Sequence, residues 1–202
     1  EAEDLSNFLN FYLTNMCDIA LRYGGTIDKF IGDSLMIFFG DPETKGAKED
    51  AAACCDMALE MLAFLESNQQ HFQETYNFPE KLEVRVGIHN GLCNVGNFGS
   101  AQRLDYTAIG RAVNVASRLE QAAPKNSILV SSTVRNLIKN KFETSSPIEV
   151  KAKGIDKPIA SYVLTKITSE SKKVTKEIDG FKLEYDPQKI DRETLLKIIE
   201  EL

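Results

Sequence analysis

The sequence predicts an α+β sandwich, with helices packed on a mixed or mostly antiparallel sheet. Three observations lead there. Apolar residues recur at three- and four-residue steps in some stretches and at two-residue steps in others. Apolar, β-branched stretches meet at a tight glycine turn. Helical stretches therefore alternate with hairpins rather than with single strands, which disfavours a doubly wound parallel sheet.

The elements follow in order. Leu5, Phe8, Leu9, Tyr12, Met16, Ile19, Ala20 and Tyr23 lie at helical steps, and Gly24-Gly25 ends that helix. Thr26 to Phe39 is apolar on both sides of Gly32-Asp33 and reads as a hairpin. Ala51, Ala52, Cys55, Ala58, Leu59, Leu62 and Leu65 mark one face of a second helix. Leu82, Val84, Val86 and Ile88 alternate as a strand, with Gly91 to Val95 expected to pair back on it. Gly96 to Ser100 reads as a loop, and past Tyr106 a helix starts near Arg111. Ser127 to Val130 is a short strand, and Thr133 to Lys139 a short helix behind a serine cap. Ile148 to Ala152 and Ala160 to Leu164 read as a closing strand pair.

Length, charge and cysteine usage narrow the function classes. The 202 residues suit one domain plus a small extra. Charge density rises near Lys166: 17 of the last 37 residues are charged, which divides the chain into 1–165 and a 166–202 appendage. Within the appendage, Ser169 to Lys176 reads as a linker, Phe181, Leu183 and Tyr185 as a strand, and Asp191 as the cap of a short helix. A net charge of -6 without a basic stripe argues against nucleic-acid binding. No apolar run is long enough to span a membrane and no secretory leader is visible, so a cytoplasmic setting is expected. Four cysteines (Cys17, Cys54, Cys55, Cys93) lack metal-ligand spacing, and with only His71 and His89 a zinc site is not expected. They read as reduced, mostly buried thiols.

Three groups of residues can carry chemistry. Asp33 sits in the hairpin turn, with Lys29 four residues earlier on the incoming strand. In isolation Gly-Asp is an ordinary turn pair; between apolar strands, the same carboxylate is a hard ligand suited to Mg²⁺. Asn114 and Arg118 are four apart and share a helical face, either a solvated edge or a phosphate-binding one. Lys151 and Lys153 alternate on a strand and project from one face, which is commonly an exposed edge.

Taken in order, three stretches resemble the class III nucleotidyl cyclase catalytic domain: Tyr23–Ser34 (YGGTIDKFIGDS), Val86–Ala101 (VGIHNGLCNVGNFGSA) and Asp105–Gln121 (DYTAIGRAVNVASRLEQ). The resemblance runs from about residue 5 to 165 and is closest to the adenylate cyclase type. It implies a ferredoxin-like βαββαβ core, a head-to-tail homodimer with active sites shared between subunits, and two Mg²⁺ or Mn²⁺ ions per site. By position, Asp33 matches a metal-binding aspartate, while Lys29 and Thr107 match the pair that reads the purine. Asn114 matches the residue that orients the ribose and Arg118 the one that stabilises the pentavalent phosphorus. Lys151, or less closely Lys153, matches the lysine that holds the β- and γ-phosphates.

The expected reaction is ATP to 3′,5′-cyclic AMP and pyrophosphate. A lysine donor and an accepting hydroxyl suit adenine, whose N1 accepts and whose N6 donates; guanine reverses both. Relatives acting on GTP carry an acidic residue where Lys29 stands. The alternatives are a guanylate cyclase and a non-catalytic, nucleotide-binding regulatory dimer. The family's other metal aspartate precedes the first helix in a Phe-x-Asp-Ile type segment, and neither Asp4 nor Asp18 fits it. The first core strand, its phosphate-cradling loop and half the metal site are therefore expected to lie in a longer native polypeptide, with sensor or membrane-associated domains upstream.

Overall fold

In a computed structural model of the protein, residues 2–78, 80–150, 158–167, 174–178 and 181–185 are described. Helix α1 (Ala2–Arg22) ends as its glycines predict. The Gly25 amide bonds the Ala20 carbonyl at 2.9 Å and the Gly24 amide the Leu21 carbonyl at 3.0 Å. Those two bonds make a Schellman stop. The chain then turns directly into β1 (Thr26–Ile31) and β2 (Ser34–Phe38), an antiparallel hairpin closed by Gly32-Asp33.

Helix α2 (Ala47–Ser67) has a wider apolar face than the sequence predicts, because it separates two cores. One side places Ala51, Cys55 and Ala58 against the main sheet. The other adds Met57, Met61 and Leu65 to Phe8, Met16, Ile19 and Ala20 of α1 and to Phe72 of α3 (Gln69–Tyr76). Helix α3 is not marked by any apolar period and forms because Phe72, fully buried, anchors it there.

The main sheet runs in the order β3 (Arg85–Ile88), β6 (Ser127–Ser131), β9 (Ile159–Ile167), β7 (Phe142–Thr144), with β8 (Ile148–Val150) also pairing β9. It is mixed: β3 pairs β6 in parallel, and β9 is antiparallel to β6. Between β3 and β6 the chain forms the hairpin β4 (Asn94–Ser100) and β5 (Arg103–Ile109), then helix α4 (Arg111–Ala122). Val115 and Leu119 of α4 pack on Leu129 and Val150. Helix α5 (Ser132–Ile138) starts one residue before the expected Thr133, and its serine cap is Ser131, whose hydroxyl accepts from the Val134 amide. Among the described residues β2 pairs only β1, and β3 only β6.

Three expectations are corrected. Gly96 to Ser100 is strand, not loop, and pairs with Arg103 to Thr107. Glycine and asparagine are poor strand formers, but a Cβ at Gly99 would lie 2.1 Å from the Arg103 carbonyl oxygen, so the hairpin needs a residue without one. Gly91 to Val95 does not pair back on β3, whose partner is β6. Leu82 and Val84 lie outside β3, since side chains occupy their backbone groups: Gln69 bonds Leu82 twice at 2.9 Å, and Asn126 Oδ1 accepts from the Val84 amide at 3.0 Å.

The chain divides into two compact units, residues 1–166 and 167–202. In the second, β10 (Val174–Ile178) pairs antiparallel with β11 (Phe181–Tyr185). The last part of the expected linker, Val174 to Lys176, is thus strand. The expected helix after Asp191 lies outside the described residues, as do the Ala152 end of the closing strand pair, Lys151 and Lys153.

Candidate active site

A bulge in β1 builds the centre of the site. Ile27 pairs with Ile37 and Lys29 with Met36, leaving Asp28 as an extra residue on that strand. In a regular strand the Asp28 and Lys29 side chains point to opposite faces; the bulge re-aims them. Both reach Thr107 on β5. Lys29 Nζ donates to Thr107 Oγ1 at 2.6 Å. Thr107 Oγ1 donates to Asp28, with carboxylate oxygens at 2.8 and 2.9 Å. The Ala108 amide donates to the same carboxylate at 2.8 Å, and Lys29 Nζ lies 3.1 Å from its other oxygen. The Asp28 side chain is fully buried, while 43% of the Lys29 side chain is exposed. Thr107 is buried.

The resemblance pairs Lys29 with Thr107, and the structure brings them together. Asp28 escapes a sequence reading because strict alternation places it on the other face. The available signal is a carboxylate beside Lys29 in a strand whose other residues include Ile27, Phe30 and Ile31. Tyr106 adds a second tie between these ribbons, its hydroxyl donating to Asp41 just beyond β2.

Asp33 is exposed at the hairpin tip. It is near enough to Tyr12 of α1 that its charge, after burial, helps push the Tyr12 phenol up. On α4, Asn114 is exposed and Arg118 half-buried one turn later, about 100° around the helix from buried Val115 and Leu119. Arg118 Nη1 donates to Gln121 Oε1 at 2.8 Å, which uses one of its five N–H donors. Gly87 on β3 sets how close α4 lies: a Cβ there would sit 2.2 Å from the Glu120 nitrogen and 2.4 Å from the Ala116 oxygen. The α4 N-cap, Gly110, supplies no side-chain hydrogen bond, so the first amides of α4 have no capping side chain there.

Residues 1–166 match the family described as the adenylate and guanylate cyclase catalytic domain. The chain belongs to that family. An adenylate cyclase of Anabaena cylindrica is 35% identical over 167 residues, which covers 80% of this chain and 32% of the relative. This chain thus spans about a third of that protein's length. The crystal structure of the adenylyl cyclase CyaB from P. aeruginosa aligns with a TM-score of 0.80 at 44% identity, over 84% of this chain and 86% of that one. The guanylyl cyclase Cya2 aligns with a TM-score of 0.77 at 28% identity, over 84% of both chains.

Class III cyclases use divalent metals, and Asp33 is the residue that the resemblance matches to a metal ligand. An exposed carboxylate on a tight turn is a suitable hard ligand, with room for phosphate oxygens and water around it. Among the described residues, no group of three or more His, Cys, Asp or Glu side chains is placed to hold a metal ion. His89 Nδ1 is 2.9 Å from Ser131 Oγ, and burial holds the His89 pKa below the usual histidine value.

The thiols are less buried as a group than expected. Cys55 is buried and Cys93 exposed, with Cys17 and Cys54 between them; all four are free. Burial pushes the Cys54 thiol up to about 12 and the Cys55 thiol further. No helix among the described residues is long and apolar enough to cross a membrane.

Proposed function

We propose that this cyclase domain converts ATP to 3′,5′-cyclic AMP and pyrophosphate. The observation that carries the reading is the 2.6 Å contact between Lys29 Nζ and Thr107 Oγ1. An ammonium and a hydroxyl side by side make a donor–acceptor edge for N1 and N6 of adenine. Relatives act on either nucleotide by name, so the base pocket rather than the fold favours ATP.

The ribose 3′-oxygen attacks the α-phosphorus in line. Its new P–O bond forms as the α–β bridging P–O bond breaks, the hydroxyl proton passes to water, and pyrophosphate leaves. Asn114 orients the ribose. One helical turn along, about 6 Å on a 1.5 Å rise, Arg118 places its planar fork of donors on the α-phosphate oxygens as charge builds there. Lys151, with Lys153 two positions on as the weaker candidate, is assigned the β- and γ-phosphates. Asp33 would hold part of a divalent-ion site, which would lower the pKa of the 3′-hydroxyl and neutralise charge at the leaving group. The chain's own part is position and electrostatics.

The reading includes a head-to-tail homodimer in which Asp33 of one subunit serves the Arg118 of the other. Exposed apolar side chains on the ribbons and the loop after β3 support a partner surface: Phe30 (51%), Ile31 (61%), Leu92 (99%), Leu104 (62%) and Ile109 (46%). Incubation of the full-length protein with ATP or GTP plus Mg²⁺ or Mn²⁺, with chromatographic separation of the products, tests the assignment. Cyclic AMP as the main product is the expected result. Cyclic GMP as the main product overturns the substrate, and binding of a non-cyclisable ATP analogue without turnover overturns the activity.

A further inference from the structure

We propose that Asp28 is the positioning residue that gives the base pocket its polarity, by fixing which way the Thr107 hydroxyl points. The inference rests on the reading that Lys29 and Thr107 face the purine, and it adds what makes that pair selective.

A threonine hydroxyl has one proton and two lone pairs. Left free, it donates as readily as it accepts, and so matches either N6 of adenine or O6 of guanine. Here the proton is committed. Thr107 Oγ1 lies 2.8 and 2.9 Å from the two Asp28 oxygens, and an ionised carboxylate only accepts. Lys29 Nζ, at 2.6 Å, occupies one Thr107 lone pair. One lone pair remains, and it can only accept. The ammonium is likewise fixed: of its three protons, one faces Thr107, one faces Asp28 at 3.1 Å, and one is left to donate outward. The exposed edge is thus one donor beside one acceptor, the complement of adenine N1 and N6.

Asp28 is itself held so that it cannot turn away. Its side chain is fully buried, and the Ala108 amide donates to it at 2.8 Å. The bulge between Ile27 and Lys29 places it on the same side as its neighbour. A charged donor and acceptor in direct contact make stronger hydrogen bonds than neutral ones, which favours this one arrangement of the hydroxyl over its alternatives.

The test is Asp28→Asn in the full-length protein. The amide keeps the shape but removes the charge and adds donors, so the Thr107 proton is released to face the base. The expected result is a rise of about tenfold in the GTP-to-ATP ratio of kcat/KM, the scale of one redirected hydrogen bond. A merely structural role lowers both nucleotides together and leaves the ratio unchanged; that result overturns the proposal. Thr107→Val in the wild-type background is expected to relax the ratio, and in the Asp28→Asn background to change it little further. Full additivity of the two also overturns it. If Asp28→Asn does not fold, the wild-type protein decides by NMR. A slowly exchanging Thr107 hydroxyl proton supports the proposal, and one exchanging at the solvent rate refutes it. Failure of the underlying reading looks different: Lys29→Glu then leaves the nucleotide preference untouched.

Discussion

Lys29 and Thr107 are 78 residues apart in sequence, yet the lysine Nζ lies 2.6 Å from the threonine Oγ1. Neither strand forms this edge alone. The β1 bulge turns Lys29 toward β5, and the β4–β5 pairing seats Thr107 opposite Gly96, where no side chain competes for the space.

That edge predicts the effect of reversing its polarity. Lys29→Glu replaces the outward donor with an acceptor, so ATP turnover is expected to fall by about 10² or more while GTP is favoured relative to ATP. Steady-state kinetics with both nucleotides read the ratio of kcat/KM. Loss of both activities in equal proportion counts against a role in base choice.

Arg118 and Asp33 are predicted to act from opposite subunits. Arg118→Ala is expected to lower kcat by about 10³ or more, as for other arginines that meet charge developing on phosphorus. Asp33→Ala is expected to be comparably impaired. Mixing the two inactive proteins under conditions that exchange subunits should recover activity, because one of the two heterodimer sites then carries both wild-type groups. Absence of recovery, with heterodimers demonstrated, contradicts the shared site.

Gly87 predicts a stability effect with no chemical one. A methyl at this position meets α4 backbone atoms at 2.2 and 2.4 Å, and backbone cannot rotate aside as a side chain can. Gly87→Ala is expected to cost about 3 kcal/mol, the upper part of the overpacking range. For a chain of this size that lowers Tm by roughly 6–12 °C. A thermal melt within a degree of wild type rules the contact out.

His89 predicts acid sensitivity. Burial holds its folded pKa below the unfolded value, near 6.5. As pH falls through about 6.5, the unfolded state binds a proton that the folded state does not, so stability present above that pH is lost below it, until the depressed folded value is reached. Melts between pH 7.5 and 5.5 are expected to show a smaller loss in His89→Asn than in wild type. Equal losses assign the sensitivity to other groups.

Much of the fold is legible along the chain. The helical steps from Leu5 to Tyr23, the Gly24-Gly25 stop, the Gly32-Asp33 turn and the Ser131 cap are local features, and short-range sterics and hydrogen bonding decide them. The Gly-rich stretch at 96–100 is misread as a loop for the opposite reason. Its strand exists because Arg103 and Leu104 close on Gly99, a contact that propensity does not encode. Leu82 and Val84 look like strand by alternation, but Gln69 and Asn126 take their backbone bonds.

The site divides along the same line. Residue types at set spacings single out Asp33, Asn114 and Arg118 as candidates, because a turn and a helix place side chains by local geometry, and the resemblance alone gives them roles. Lys29 and Thr107 are named by resemblance, and only folding brings them into contact. Asp28 belongs wholly to the tertiary structure: a single extra residue in β1 reverses the face it occupies, and burial against Thr107 and Ala108 turns an ordinary strand carboxylate into the group that orients the base pocket. By itself the sequence determined the kind of chemistry, since charge, hydroxyl and amide groups are properties of residues. Direction was left to the fold, since which atom donates to which depends on long-range packing.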